Sequence, residues 1–306
     1  MHLDTPLLRA NAQYAACAKP LWLKMDALQP SGSFKLRGVG RLCTHEVARG
    51  AKAIVCASGG NAGFAAAYAG KMLGVPATIV VPHTTSSEVR ARIAAVGAQV
   101  IVHGSVWDEA HAHATALARE QQAAYVHPFD HPLLWDGHAT LIDEVAAQSI
   151  NFDCVITSVG GGGLFAGIVE GLLRNGRHDV PVIAVETVGA DKLSQSLQAG
   201  KIIALPAITS IATSLGARRV CDRAFDLARQ HRVTSVTVTD AQAVTACLKF
   251  ADAFRVMVEP ACGAALAVLD THPQLFEKFS APLVEVCGGI GVSIDKLQQW
   301  KTQFAI

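Results

Sequence analysis

The stretch Cys154-Val155-Ile156-Thr157-Ser158-Val159-Gly160-Gly161-Gly162-Gly163-Leu164-Phe165-Ala166-Gly167-Ile168-Val169-Glu170-Gly171-Leu172-Leu173 changes character at its centre. Residues 154–159 form an apolar, β-branched run of strand length, and residues 164–173 form an apolar run that suits a helix. Four glycines between them predict a strand-to-helix turn. Backbone N–H groups at such a turn point at one spot, and the helix dipole favours negative charge there, so a phosphate fits. Gly161-x-Gly163-x-x-Ala166 also matches the dinucleotide fingerprint. Glu186 ends the strand-like run 180–186, about 20 residues on, where a ribose-binding acid belongs. The motif alone leaves both ligands open.

Outward from this unit the alternation repeats. A strand-like run at 53–56 leads through Ala57-Ser58-Gly59-Gly60-Asn61-Ala62-Gly63 into the Ala-rich helix-like run 64–69, and further strand-like runs at 77–81, 99–103 and 282–287 lie between periodic stretches. Such alternation predicts an α/β fold of parallel sheets covered by helices on both faces. No internal repeat, low-complexity tract or long linker divides the chain, so any lobes are woven rather than strung along it. At 306 residues the chain can bury roughly three quarters of its unfolded surface.

Composition excludes several classes. A net charge of +1 with no Lys/Arg cluster or aromatic stacking stripe argues against nucleic acid. Apolar residues are dispersed in runs too short to cross a bilayer, and Met1-His2-Leu3-Asp4-Thr5-Pro6 lacks the basic start and apolar core of a targeting signal. A soluble, cytoplasmic protein is expected. The 8 cysteines, Cys17 among them, never form a C-x-x-C pair and mostly sit in apolar runs, as reduced buried thiols do. The 12 histidines form no H-E-x-x-H motif, and the spacing of His111 and His113 turns their rings apart on a helix, so no catalytic metal is expected.

Lys35 stands in Gln29-Pro30-Ser31-Gly32-Ser33-Phe34-Lys35-Leu36-Arg37-Gly38. Most lysines are solvated surface charges, but Pro30 and Gly32 impose an unusual backbone path, and Phe34 adjoins the amine. Partial desolvation lowers a lysine pKa and frees its lone pair for Schiff-base chemistry. Ser58 to Gly63 make another anion-receptive helix start, for which a plain N-cap by Ser58 or Asn61 is the simpler alternative. Two anion sites and a reactive amine suit pyridoxal phosphate and a carboxylate-bearing substrate. A nicotinamide-dependent dehydrogenase would use Gly161 to Ala166 and leave Lys35 idle.

Ser31-Gly32-Ser33-Phe34-Lys35, Ser58-Gly59-Gly60-Asn61-Ala62-Gly63, Gly160-Gly161-Gly162-Gly163 and Cys287-Gly288-Gly289 occur in the order and rough spacing of the fold type II pyridoxal phosphate enzymes. Within them the chain most resembles the serine/threonine dehydratases, L-serine dehydratase above all. The resemblance runs from Thr5 to Leu297 and takes in Lys24-Met25-Asp26, Pro128-Phe129-Asp130-His131-Pro132-Leu133, Trp135-Asp136-Gly137-His138-Ala139 and Val258-Glu259-Pro260-Ala261-Cys262-Gly263-Ala264-Ala265. It implies two parallel-sheet α/β domains, as in the tryptophan synthase β chain, with the cofactor in the cleft between them. Residues 1–35 and 131–306 would form the large domain, with residues 36–130 inserted as the small one.

The same resemblance implies roles. Lys35 would be the Schiff-base lysine, Phe34 would cover one ring face, and Asn61 would bond the ring hydroxyl. Gly160, Gly161, Gly162 and Gly163, with Leu164, would cradle the phosphate, while Ser58, Gly59, Asn61 and Ala62 would hold the substrate carboxylate. Ser214 stands where a smaller alanine often covers the second ring face. Cys287 would face the pyridine nitrogen. A potassium ion would bind at Glu186, Ala190, Leu215 and Ala217, the plainer alternative being that Glu186 is a salt-bridged strand end. A homodimer is implied.

A neutral thiol at the ring nitrogen makes a weak electron sink, which favours prompt elimination of a β-substituent. The implied reaction is therefore dehydration and deamination of L-serine to pyruvate and ammonia. Serine racemases carry a serine where this chain has Gly59, which has no side-chain proton to give, so racemisation is expected to be weak or absent. The glycine is also expected to leave room for L-threonine, since space for one methyl discriminates by only about 1–3 kcal/mol. Threonine dehydratase, giving 2-oxobutyrate, is the alternative within the family. After Cys287-Gly288-Gly289 the chain reads Ile290-Gly291-Val292 where relatives often carry a small polar pair.

Overall fold

The computed structural model describes residues 1–11, Tyr14 and 20–306. Ten strands, in chain order β1 (Leu7–Arg9), β2 (Trp22–Lys24), β3 (Ile54–Ala57), β4 (Ala77–Val81), β5 (Gln99–Val102), β6 (Ala124–Val126), β7 (Cys154–Ser158), β8 (Val182–Thr187), β9 (Val233–Val238) and β10 (Pro282–Glu285), form two sheets among the described residues. The larger is ordered β1-β2-β10-β7-β8-β9 and the smaller β5-β4-β3-β6. Every pairing is parallel except β1 with β2 at the edge. That antiparallel edge qualifies the expectation of purely parallel sheets.

Burial on both faces accounts for the apolar runs. In β3, Ile54 and Cys56 join one core cluster with the helices Lys35–Ala48 and Asn61–Leu73, whereas Val55 and Ala57 pack against the helix Trp107–Glu120 on the other face. Alternate residues of a strand point to opposite faces, so a strand covered twice must be apolar throughout. β7 is buried at all its positions for the same reason. β9 lies at an edge and mixes Val with Thr and Ser, so it forms no apolar run in the sequence.

Helix packing carries the site between the sheets. A side chain at Gly137 would lie 2.6 Å from the Gly38 Cα, so the helices Lys35–Ala48 and Pro132–Ala147 meet backbone to backbone. The second of these packs in turn on the helix Gly163–Arg174. Cys17 lies outside the described residues, and the seven described cysteines are buried and free. On the helix Trp107–Glu120 the His111 ring faces Tyr125 while His113 stacks on His103, so the two rings do part. Among the described residues no helix is long and apolar enough to cross a membrane.

Candidate active site

Lys35 opens the helix Lys35–Ala48 directly after the turn that precedes it. The turn is stitched to the Cys287 segment: Phe34 N donates to the Cys287 carbonyl at 3.1 Å, and Gly289 N donates to the Gly32 carbonyl at 2.8 Å. Two residues on, the wholly buried Arg37 holds Asp26 through Nε and Nη2 at 2.7 and 2.8 Å, and reaches Glu144 with Nη1 and Nη2 at 2.5 and 2.7 Å. The start of this helix is thereby clamped to the 3₁₀ turn Asp26–Leu28 that follows β2 and to the helix Pro132–Ala147. The half-buried Lys35 donates Nζ to the Pro128 carbonyl at 2.5 Å and lies 5.0 Å from the Phe34 ring centroid. Desolvation lowers its pKa to about 8. A positive charge in the first turn of a helix is disfavoured in the same sense.

Two helix starts lie at the carboxyl ends of β7 and β3, where α/β sheets bind ligands. Gly162 caps the helix Gly163–Arg174 with φ +94° and offers its first-turn N–H groups no side-chain acceptor. A side chain at Gly161 would strike the Phe129 ring, 2.3 Å from Cγ. The helix Asn61–Leu73 begins after Gly60, again with no side-chain cap. Ser58 Oγ accepts instead from Gly60 N within the turn at 3.3 Å, so neither Ser58 nor Asn61 is the plain N-cap that its position suggested. Leu164 and Ala62 are each the second residue of these helices and are buried.

The two starts meet at Ser214. Asn61 Nδ2 donates to Ser214 Oγ at 3.2 Å and to Glu259 Oε1 at 2.7 Å, and Asn61 Oδ1 accepts from Ile290 N at 2.8 Å. A side chain at Gly160 would lie 2.9 Å from the Ser214 carbonyl. Both N–H bonds of the Asn61 carboxamide are thus engaged, the one to Ser214 being the longer. Gly291 N donates to Glu259 Oε2 at 3.0 Å, so residues 290 and 291 supply through their backbone the polar contacts that their side chains lack. Glu259 precedes Pro260 at the head of the helix Pro260–Thr271 and showed in the sequence only as part of an island of resemblance.

Cys287 Sγ lies 3.7 Å from Ser158 Oγ. A hydrogen bond with Cys262 and burial push its thiol pKa well up, so it is neutral. Phe34 packs against His138, with centroids 5.0 Å apart, and that buried imidazole has neither nitrogen bonded. Desolvation and the nearby Lys35 and Arg37 charges keep His138 uncharged.

Two expectations are corrected. A side chain at Gly59 would lie 2.7 Å from Thr85 Oγ1 and 2.8 Å from its Cγ2, so the space beside Gly59 is filled by Thr85 rather than open. Glu186, Ala190 and Leu215, expected with Ala217 to hold potassium, surround an ammonium of the chain itself. Lys192 Nζ donates to the carbonyls of Ala190, Leu215 and Val159 at 2.7, 2.8 and 3.0 Å and lies 3.2 Å from Glu186 Oε1; the Ala217 carbonyl is not among its acceptors. Glu186 also accepts from Leu193 N and Ser194 N at 3.0 and 2.8 Å, which makes it the salt-bridged strand end of the plainer alternative.

One amine shifted toward its neutral form and two glycine-capped helix starts with no side-chain acceptor fit a phosphate-bearing aldehyde. A family described as pyridoxal-phosphate dependent enzyme matches residues 1–288. The chain is 45% identical over 312 residues to a serine dehydratase-like protein of Rattus norvegicus, across 99% of this chain and 94% of that one. It is 44% identical over 316 residues to the L-serine dehydratase/L-threonine deaminase of Homo sapiens, across 100% and 96%. Among solved structures, a fungal L-serine ammonia-lyase from Rhizomucor miehei superposes with a TM-score of 0.93 at 36% identity, across 99% of each chain. The chain is a member of the pyridoxal-phosphate dependent enzyme family.

Proposed function

We propose that the protein dehydrates and deaminates L-serine to pyruvate and ammonia, with L-threonine as a lesser substrate. The observation that carries this function is the Lys35 amine, lowered to about pKa 8, in a turn hydrogen-bonded to the neutral Cys287 segment. Bound pyridoxal phosphate supplies an aldehyde for the substrate amine and a ring that accepts electron density from the α-carbon. Gly160, Gly161, Gly162, Gly163 and Leu164 offer the phosphate their N–H groups. Ser58, Gly59, Asn61 and Ala62 hold the substrate carboxylate at the other helix start, and Phe34 and Ser214 flank the ring. Lys35 Nζ takes the α-proton. Cys287, neutral, would face the ring nitrogen without fixing a proton there as a carboxylate would, so the electron pair left at the α-carbon expels the β-hydroxyl, and the proton that leaves with it as water balances the one Lys35 Nζ took. The 2-aminoacrylate released takes up water and yields pyruvate and ammonia.

The division into a large domain of residues 1–35 and 131–306 and a small domain of residues 36–130 is supported by the sheets, since β3 to β6 all fall within the second span. With Thr85 beside Gly59, acceptance of L-threonine finds its support in the name of the human relative. A homodimer in the cytoplasm completes the proposal, and light scattering of the purified protein tests the dimer. The deciding experiment is keto-acid release from L-serine, D-serine and L-threonine at equal concentration. Pyruvate from L-serine should dominate, and a dominant yield of 2-oxobutyrate would reassign the enzyme to threonine. Borohydride trapping followed by mass spectrometry should place the cofactor on Lys35.

A further inference from the structure

Lys192 is the first residue of the helix Lys192–Ala199, where a lysine is ordinarily solvated, yet here it is wholly buried. Its three carbonyl partners come from three separate segments. Val159 leaves β7 just before the glycine turn, Ala190 lies in the turn after β8, and Leu215 follows Ser214 in the 3₁₀ turn Thr213–Leu215. Desolvation lowers the Lys192 pKa and raises that of Glu186, against the attraction between the two. Three carbonyl acceptors nevertheless require three N–H donors, which the ammonium has and a neutral amine lacks. The carboxylate of Glu186 balances the charge.

A shell of carbonyl oxygens with one carboxylate is also what a hard monovalent cation needs. The geometry points to Lys192 as a covalently tethered substitute for such a cation, so that this enzyme neither requires nor binds potassium at Glu186. A free ion would have to displace the ammonium or sit against it, and two buried like charges at contact repel strongly. Lys192 then acts as a positioning residue. It ties the glycine turn to the Ser214 segment, and Ser214 in turn receives the Asn61 carboxamide.

The test uses the holoenzyme in tetramethylammonium chloride, whose cation is too bulky for the shell, and at equal ionic strength in potassium chloride. Wild-type protein should show the same thermal midpoint and the same rate of keto-acid release in both salts. Lys192→Ala leaves the oxygen shell without its cation, so its midpoint and rate should fall in tetramethylammonium and recover with saturating dependence on potassium or ammonium ions. A merely structural lysine would give a loss that no small cation repairs. Activation of the wild type several-fold by potassium would overturn the proposal, as would a folded Lys192→Ala protein with the same midpoint in both salts. Should Lys192→Ala fail to fold in either salt, the wild-type comparison decides alone: indifference to potassium supports the tethered cation and activation refutes it.

Discussion

Asn61 and Glu259, 198 positions apart in the chain, are joined by a 2.7 Å hydrogen bond that holds the helix start after β3 against the helix start at Pro260. Glu259 receives Asn61 on one oxygen and Gly291 N on the other, so its carboxylate fixes the carboxamide expected to meet the cofactor ring. Glu259→Ala strands one Asn61 N–H and the Gly291 N–H, and a buried donor left unsatisfied costs about 1–3 kcal/mol. We expect a lower thermal midpoint and a reduced kcat, with Glu259→Gln, which keeps one acceptor oxygen, closer to wild type. Steady-state kinetics on the two variants provide the check, and a Glu259→Ala enzyme with unchanged kcat would contradict it.

The pKa of about 8 at Lys35 sets a pH dependence for cofactor attachment. The neutral amine is the nucleophile, and its fraction falls about tenfold per pH unit below the pKa. Protein stripped of cofactor should take up pyridoxal phosphate at a rate that climbs from acid pH and levels off above pH 8. An attachment rate still climbing steeply at pH 10 would mean an ordinary, solvated lysine. Lys35→Ala should form no borohydride-stable adduct at any pH.

Glu144 links acid stability to the clamp at the start of the Lys35 helix. Burial alone would raise its pKa, but hydrogen bonds from Arg37, with His2 and Lys24 contributing, hold the carboxyl well below the usual range. A depressed carboxyl contributes stability that is present above the ordinary carboxylate pKa and lost as pH falls through the folded one. Glu144→Gln should therefore be less stable than wild type at neutral pH, the gap narrowing as pH drops below about 4. Arg37→Met leaves Asp26 buried without its bidentate partner and should cost about 3–5 kcal/mol in denaturant unfolding.

Thr85 governs what Gly59 can become. A serine at position 59 would put its Cβ within 2.7 Å of Thr85 Oγ1, so Gly59→Ser should lower kcat/KM for L-serine. Thr85→Ala removes the obstacle, and the double variant should recover much of the loss. Residues in contact are the ones whose effects fail to add. Strictly additive losses would show that the two side chains do not compete for the same space. D-serine formation by the double variant, followed on a chiral column, shows whether a hydroxyl at position 59 is enough to deliver a proton.

The amino-acid sequence determined by itself whatever depends on neighbouring residues. β3, β4, β7 and β10 fall on the apolar runs at 53–56, 77–81, 154–159 and 282–287, because a strand buried on both faces is apolar at most of its positions. The glycine turns at Gly59-Gly60 and Gly160 to Gly163 were legible because local backbone geometry demands glycine there, and Lys35 was legible from its flanks. Tertiary structure alone decided the rest. Nothing near Lys192 in sequence says that a helix-opening lysine will fold inward onto the carbonyls of Val159 and Leu215 as well as that of Ala190 in its own turn, nor that Thr85 will stand against Gly59 or Glu259 against Asn61. Periodicity records which face of an element is buried. It carries no record of which distant polar group will be waiting there, because that pairing arises only when the sheets and helices pack.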